Sequence, residues 1–213
     1  MNERLETIKA AVVYGKHGEI VELVRGSVEA GDDPNRIINE ALIAAMDVVG
    51  QKFASNEIFV PEMLASAFTM KKGLEIVKPC LGGEKSKSMG TILIGTVKGD
   101  LHDIGKNLVI MMLEGAGFNV VDLGVDLSVE KVVEKVEEIK PRILGLSALL
   151  TTTMPEMKRV IEVLEQKGLR QKVKVLVGGA PVDARFAEKI GADGYGKDAA
   201  EAVRLAREII AGD

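Results

Sequence analysis

The sequence predicts an α/β protein, with an N-terminal four-helix bundle followed by a flavodoxin-like (Rossmann-like) domain built on a five-stranded parallel sheet. Apolar residues recur at helical spacing through the first 80 residues, whereas from residue 91 short apolar runs alternate with amphipathic helical stretches. The intervening run CLGGEKSKSMG is rich in Gly, Ser and Lys and has no periodicity. We therefore expect a helical domain over 1–80, a linker over 81–90 and an α/β domain over 91–213.

Each of the four helices in the first half has a local signal. The first two, in NERLETIKAAVVYG and over about 17–30, carry apolar residues along one side. A third begins in DDPN, because Asp33 can cap it and proline suits the first helical position. A fourth runs from about Pro61 to Pro79, where the proline ends it. Short loops between such helices favour a bundle.

Five strands are predicted in the second half, and each is followed by a helix. The strands are TILIGTV, NVVDL, RILGLSA, KVKVLVGG and a weak fifth at 193–195. The helices are expected over about 104–116, 128–139, 155–167, 182–190 and 198–211. Apolar strands separated by helices are typical of a parallel sheet that is covered on both faces. Such sheets bind ligands at the carboxyl ends of their strands, so the loops that follow the strands are where we expect a site.

The composition excludes several classes of protein. The net charge is −4 and Lys and Arg are scattered among Asp and Glu, so we expect no nucleic-acid partner. No apolar run approaches the roughly 20 residues that cross a bilayer. The N-terminus also lacks an apolar signal stretch, so we expect a cytoplasmic protein with no membrane partner. The single cysteine, Cys80, excludes an intrachain disulfide and a Cys-rich zinc site.

The loop after the first strand, in TVKGDLHDIGKN, contains the main candidate site. Asp100 and His102 are two residues apart, so in an extended loop their side chains lie on the same side. A carboxylate bonded to one imidazole nitrogen fixes the tautomer and makes the other nitrogen a better donor, as a metal ligand requires. Gly105 would let the next helix pack closely on a bound group. Taken alone, the pattern also fits a surface histidine with an acidic neighbour.

Other ligands fit this loop less well. The spacing of Gly95, Gly99 and Gly105 matches neither the dinucleotide fingerprint nor a P-loop. A phospho-acceptor receiver has no use for the histidine, and a zinc site needs three or four protein ligands. The loops SALLTTT and VGGAP, after the third and fourth strands, bring small and hydroxylated residues to the same edge. This convergence favours a bound ligand over a surface histidine.

The candidate residues resemble the cobalamin-binding signature of corrinoid proteins and of methionine synthase. The matching residues, in chain order, are Asp100, His102, Gly105, Ser147, Leu149, Gly178 and Gly179. The helical half looks like the cap module that precedes this domain in the methyl-transferring members. The resemblance implies a cobalamin cofactor with its cobalt, in the methylcobalamin and cob(I)alamin forms.

The resemblance also implies roles for individual residues. His102 would be the lower axial ligand of cobalt in place of the cofactor's dimethylbenzimidazole, with Asp100 on its far nitrogen and Thr153 as a third, relay hydroxyl. Contacts with the lower face of the corrin are implied for the residues from Gly99 through Leu101 to Asp103, and Gly105 is also implied to bind the cofactor. Contacts with the displaced nucleotide tail are implied for Ser147, Leu149, Thr151, Gly178, Gly179 and Ala199.

In the helical half, the resemblance implies contacts with the opposite face of the corrin. Glu40 resembles a corrin-contacting glutamate. Phe53, Phe59 and Val60 resemble the apolar residues that cover the upper face of the cobalt. Ordinary bundle core is the alternative for these three.

The resemblance implies a methyl-carrying corrinoid subunit rather than a stand-alone enzyme. Such a carrier shuttles a methyl group between a substrate-specific methyltransferase and a second methyltransferase that acts on tetrahydrofolate or a thiol coenzyme, and a reductive activase serves it. The alternative is a cobalamin-dependent sensor or regulatory binding module. The methyl donor stays open among methanol, methylamines, methoxyarenes and betaines, because donor specificity would belong to the partner.

Overall fold

The computed structural model describes residues 3–81 and 88–212. The chain divides into two compact units, Met1–Ser88 with Glu114–Gly117 and Met89–Leu113 with Phe118–Asp213. Residues 82–87, most of the predicted linker, lie outside the described residues. We call the first the helical unit and the second the sheet unit.

The helical unit contains the four predicted helices, the third of them in three segments. The helices are α1 (Glu3–Val13), α2 (Ile20–Glu29), α3 (Pro34–Arg36), α4 (Ala44–Ala54) and α5 (Val60–Val77), with a π-helical stretch Ile37–Ile43 joining α3 to α4. The helix starts follow local chemistry: the Asp33 carboxylate accepts from the Asn35 N–H at 2.9 Å, and Pro34 takes the first helical position. The core is aliphatic, with Ile8, Ile20 and Met63 fully buried.

The π-helical stretch differs from the uninterrupted α-helix that periodicity predicts, and the spacing of the buried residues explains it. Ile37, Ala41, Ala45 and Val49 recur at intervals of four and are all buried. An α-helix has 3.6 residues per turn, so a strict repeat of four drifts around it by about 40° at each step. Wider π turns, with i→i+5 hydrogen bonds, offset that drift and keep the apolar stripe on the core side.

The sheet unit is a parallel sheet with strand order β2-β1-β3-β4-β5, which confirms the predicted flavodoxin-like fold. The strands are β1 (Thr91–Thr96), β2 (Asn119–Asp122), β3 (Ile143–Ser147), β4 (Lys174–Gly178) and β5 (Gly194–Gly196). The helices are α6 (Ile104–Gly115), α7 (Val129–Ile139), α8 (Met154–Gln166), α9 (Ala184–Ile190) and α10 (Ala199–Ala211). Among the described residues, no helix is both long enough and apolar enough to span a bilayer.

The central strands β1, β3 and β4 form the core of the sheet unit. Leu93, Leu144 and Val175 are fully buried against Val132 of α7 and Met157 of α8. Full burial of one such side chain contributes roughly 1.5–3 kcal/mol, so this aliphatic layer holds the strands in register.

Strand register places four strand ends at one level. Thr96 pairs with Ser147, Ser147 with Gly178, and Gly178 with Gly196. The loops after β1, β3, β4 and β5 therefore leave the sheet along one row, at its carboxyl edge. The sequence motifs of the candidate site all belong to this row.

Candidate functional site

The loop between β1 and α6 turns the Asp100 side chain inward. Gly99 takes a left-handed backbone conformation, with φ of +79°, that a residue with a side chain rarely adopts. The Asp100 N–H donates to the Val97 carbonyl at 3.2 Å, and the Thr96 hydroxyl donates to the His102 carbonyl at 3.0 Å. These bonds close the loop on itself below the imidazole of His102.

The Asp100 carboxylate is fully buried and accepts five hydrogen bonds. Its Oδ1 accepts from the His102 ring Nδ1 at 2.7 Å and from the His102 backbone N–H at 3.1 Å. Its Oδ2 accepts from the N–H groups of Leu149 and Leu150, at 2.7 and 3.2 Å, and from the Thr153 hydroxyl at 2.8 Å. Thr153, Asp100 and His102 thus form one continuous chain of hydrogen bonds, the relay chain.

The protonation state of Asp100 follows from these contacts. Burial by itself raises the pKa of Asp100, but the hydrogen bonds from Leu149, from the ring and backbone of His102 and from Thr153 outweigh burial. The net result is a pKa of Asp100 well below its usual range. An ionised carboxylate only accepts hydrogen bonds, so the Nδ1 atom of His102 carries the proton of this bond, and Nε2 is the ring nitrogen that can offer a lone pair.

The imidazole of His102 is partly exposed, and two apolar residues close to it in the chain are exposed as well. The His102 side chain is 52% exposed, and no residue in the described part of the chain hydrogen-bonds to Nε2. Its neighbours Leu101 and Ile104 are 71% and 78% exposed, which is unusual for large apolar side chains. A Cβ atom built on Gly105 would meet no atom within 4 Å, so the start of α6 is open to a ligand.

This arrangement fits a broad apolar ligand with a metal centre. Among residues 3–81 and 88–212, no group of three or more His, Cys, Asp or Glu side chains could hold a metal ion by itself. A metal that binds Nε2 would therefore bring most of its ligands with it. A metal held in a large organic ring meets this condition, and Leu101 and Ile104 would cover part of the ring face.

The predicted residues after β3 and β4 lie at the same edge. Ser147 ends β3 half-buried, and Leu149 and Thr151 follow it on the exposed side of the loop. Backbone packing requires glycine at 178 and 179, because a Cβ atom on Gly178 would lie 2.9 Å from the Gly196 oxygen and one on Gly179 would lie 1.8 Å from the Ala148 oxygen. The family resemblance implied contacts with the nucleotide tail for these two glycines, and the packing of adjacent loops is a second requirement for glycine there.

The remaining residues of the predicted site lie on both units. Asp103 is exposed and accepts from the Asn107 amide at 3.1 Å, and Ala199 is the buried first residue of α10. Glu40 is exposed in the π-helical stretch, where the Arg36 guanidinium donates to both its oxygens at 2.8 and 2.9 Å. The hydrogen bond from Arg36 lowers the pKa of Glu40.

The three apolar residues predicted to cover the cobalt differ in exposure. Phe59 is 64% exposed at the start of α5, and Val60 is also exposed. Phe53 is half-buried in α4. Phe59 and Val60 are therefore not part of the buried bundle core, which was the alternative for them.

Sequence reasoning missed three contributors to the site. Leu150 acts through its backbone N–H, for which side-chain patterns carry no signal. The buried ammonium of Lys106 donates to the Asp122 carboxylate at 2.5 Å and ties the first turn of α6 to the end of β2. The sequence feature that could have indicated Lys106 is a lysine within the mostly apolar helix IGKNLVIMMLEG. Asp126, in the loop after β2, accepts from the Gly99 N–H at 2.8 Å.

The chain is similar to B12-binding corrinoid proteins over most of its length. Residues 90–204 match the family model described as B12 binding domain, and residues 4–78 match a second model with the same description. Trimethylamine corrinoid protein 1 of Methanosarcina acetivorans is 44% identical over 89% of this chain and 88% of its own length. Dimethylamine corrinoid protein 1 of the same organism is 43% identical over 98% of both chains.

A solved structure shares the fold over the whole chain. It is a chain of the methanol:cobalamin methyltransferase complex MtaBC from Methanosarcina barkeri, with 37% identity and a TM-score of 0.90. The match covers 100% of this chain and 81% of that chain.

Proposed function

Because this chain belongs to the family of B12-binding corrinoid proteins, we propose that it carries a methyl group on bound cobalamin from one methyltransferase to another. The observation that carries the proposal is the relay chain, which presents the Nε2 lone pair of His102 at the carboxyl edge of the sheet. When bound, the cobalt of the cofactor supplies the centre that accepts and gives up the methyl group.

His102 is the residue that would hold the cobalt of the cofactor, through Nε2. Asp100 holds the proton on Nδ1, so Nε2 can offer its lone pair, and the buried carboxylate makes that nitrogen a better donor to a metal. Thr153 and the two leucine N–H groups hold the carboxylate from behind, so the imidazole keeps one direction. The side chain of His102 would thereby hold the cobalt in place of the cofactor's own benzimidazole.

The rest of the sheet unit is the proposed cobalamin-binding domain. Leu101 and Ile104 expose apolar side chains close to His102 in the chain, so this loop would lie against the lower face of the corrin. The residues proposed for that contact are Gly99, Leu101, Asp103, Ile104 and Gly105. The displaced nucleotide tail would run past the row of strand ends. Its proposed contacts are Ser147, Leu149, Thr151, Gly178, Gly179 and Ala199.

The helical unit is the proposed cap domain. Phe59 and Val60, which are exposed, and Phe53, which is half-buried, are the proposed apolar cover that would exclude water from the methyl group. Glu40, held by Arg36, offers carboxylate oxygens to the amide groups at the rim of a corrin.

The proposed partners are two methyltransferases and a reductive activase. The relatives are named for trimethylamine and dimethylamine, and the structural neighbour is part of a methyltransferase complex. A substrate-specific enzyme would load the cofactor from a methyl donor, and a second enzyme would pass the methyl group to tetrahydrofolate or a thiol coenzyme. The role proposed for this chain is that of the methyl carrier between the two enzymes.

Reconstitution of the full chain with hydroxocobalamin tests the proposal. His102→Ala should weaken binding and shift the visible spectrum towards a water-ligated form. The matched control is His17→Ala, because His17 is the other histidine of the chain and lies in the helical unit against Phe68. The axial assignment is refuted if the His102→Ala spectrum equals that of the wild type.

A transfer assay then separates a carrier from a sensor. The loaded protein is incubated with methylamine, dimethylamine, trimethylamine or methanol and the matching methyltransferase, and the methyl group is followed to an added thiol acceptor. Transfer supports the carrier. Binding to operator DNA without any transfer would support the sensor instead.

A further inference from the structure

Asp126 has an unusual backbone conformation next to the relay chain. It lies in the loop between β2 and α7 with φ of +51°, the left-handed region that residues other than glycine rarely adopt. Asp tolerates this region better than most residues, but the conformation still costs free energy. Strain of this kind persists where surrounding contacts hold it, and it is frequent at functional sites.

The contacts of Asp126 hold the backbone on both sides of the relay carboxylate. Its Oδ1 accepts from the Gly99 N–H at 2.8 Å, and its own N–H donates to the Asp100 carbonyl at 3.0 Å. One residue thus clamps the Gly99–Asp100 pair at its first N–H and its last carbonyl. Asp126 reaches no ring atom of His102 in the described contacts, so its effect on the imidazole is indirect.

Neighbouring hydrogen bonds make this clamp the end of a short paired segment. The Thr96 N–H donates to the Gly124 carbonyl at 3.0 Å, and the Leu127 N–H donates to the Thr96 carbonyl at 3.2 Å. The loop after β2 therefore runs beside the end of β1 and its following turn. Among these hydrogen bonds between the two loops, the one to Asp126 Oδ1 uses a side chain, and the others join backbone groups.

Gly99 explains why a side-chain acceptor matters at this point. Glycine can adopt many backbone conformations, so external contacts have to select the one that Gly99 takes, with φ of +79°. The described partner of the Gly99 N–H is the Asp126 carboxylate. Loss of this bond would let the turn fluctuate and would move Asp100, on which the direction of the His102 ring depends.

We propose that Asp126 is a positioning residue for the Asp100–His102 pair. It fixes the turn that carries Asp100, and through Asp100 it sets the direction of Nε2 without touching the ligand. The consequence for cobalt ligation rests on the proposed function, whereas the positioning itself is measurable in the protein without cobalamin.

Three variants separate the side-chain bond from other effects. Asp126→Gly keeps the left-handed backbone and the N–H to Asp100 but removes the acceptor for Gly99. Asp126→Asn keeps an acceptor oxygen and tolerates the same backbone, so it should rescue. Ser128→Ala is the matched control, because Ser128 ends the same loop and its hydroxyl accepts the Lys131 N–H, at 3.3 Å, as the cap of α7.

The first readout is the solvent-exchange rate of the His102 Nδ1 proton, measured by NMR on the full chain without cobalamin. We expect Asp126→Gly to raise this rate roughly 3- to 10-fold, the effect of one modest hydrogen bond. Asp126→Asn and Ser128→Ala should exchange as the wild type does. The second readout is the share of histidine-ligated cofactor in the hydroxocobalamin spectrum, which should fall in Asp126→Gly alone among the three.

The outcomes are distinguishable. An unchanged exchange rate in Asp126→Gly overturns the positioning role, and so does an equal increase in Ser128→Ala, which would indicate general loosening of the loop. If Asp126→Gly accelerates exchange but wild-type protein binds hydroxocobalamin without histidine ligation, the positioning role stands and the proposed function fails.

Discussion

Asp100→Asn replaces one acceptor oxygen of the relay chain with an NH₂ group and leaves the shape of the side chain unchanged. Asp100 faces five donors, and Asn offers them a single oxygen. If that oxygen faces Leu149, Leu150 and Thr153, three bonds persist and the NH₂ group faces His102. The reverse orientation would place the NH₂ group against two backbone N–H donors and is less favourable.

The cost follows from the bonds on the His102 side. The ring can exchange its tautomer and accept at Nδ1, but the backbone N–H of His102 cannot accept and loses its partner. An N–H that loses its partner in a part-buried contact such as this one costs about 1–3 kcal/mol, and the loss of charge assistance adds to it. We expect the free energy of unfolding to fall by about 2–4 kcal/mol.

The tautomer exchange has a functional consequence. It places the proton on Nε2, the nitrogen that would bind cobalt, so histidine ligation has to compete with that proton. Changes in groups that orient metal-bound histidines typically lower metal affinity by roughly 10- to 100-fold. We expect a loss of that order in the histidine-ligated fraction of Asp100→Asn.

Three measurements check this prediction: denaturant unfolding, a hydroxocobalamin titration and the ¹⁵N shifts of the His102 ring. The control is Asp183→Asn, because Asp183 caps α9 by accepting the Phe186 N–H at 2.7 Å and Asn can accept the same bond. The reasoning is refuted if, in Asp100→Asn, His102 keeps its proton on Nδ1 and the variant binds hydroxocobalamin with wild-type affinity.

Three further predictions concern the same edge of the sheet. The pKa of Asp100 is lower in the folded than in the unfolded state, so the contribution of this carboxylate to stability is complete above the unfolded pKa of about 4 and is lost progressively below it. The difference in unfolding free energy between wild type and Asp100→Asn should therefore shrink from pH 7 to pH 3. Thr153→Val should lower the free energy of unfolding by about 1–2 kcal/mol, because it removes the hydroxyl bond to Oδ2, and Thr153→Ser should restore it. Gly179→Ala should lower the free energy of unfolding by about 2–6 kcal/mol through overpacking and strain. The new Cβ would lie 1.8 Å from a carbonyl oxygen, and the backbone of residue 179 has a φ of +126°. The control Gly168→Ala, at φ of +66° with open space around it, should lose less, and equal losses in denaturant unfolding would contradict the steric argument.

Most of the fold was predictable because each element has a local signal. Apolar spacing located the helices and strands, and Asp33 and Ser128 cap the helices that follow them. The carboxyl edge of the sheet followed from the alternation of strands and helices. The π-helical stretch was not predicted, because its signal is a small departure, a repeat of four instead of 3.6, in an otherwise helical pattern.

The candidate site was predictable where side chains carry it. The pairing of Asp100 with His102 followed from their spacing, and the position of Thr153 followed from the family resemblance; the structure joins all three by hydrogen bonds. The N–H groups of Leu149 and Leu150 were not predicted as donors, because every residue type offers the same backbone group.

The sequence by itself determined the succession of elements, the aliphatic core and the residues able to form a relay, since these depend on side-chain chemistry and local spacing. Only the tertiary structure decided how Asp100 is held. Its five donors come from positions up to 53 residues away, brought together by parallel strand pairing. The left-handed Asp126 against Gly99 also depends on that pairing, because contact between two loops distant in the chain leaves no periodic signal in either.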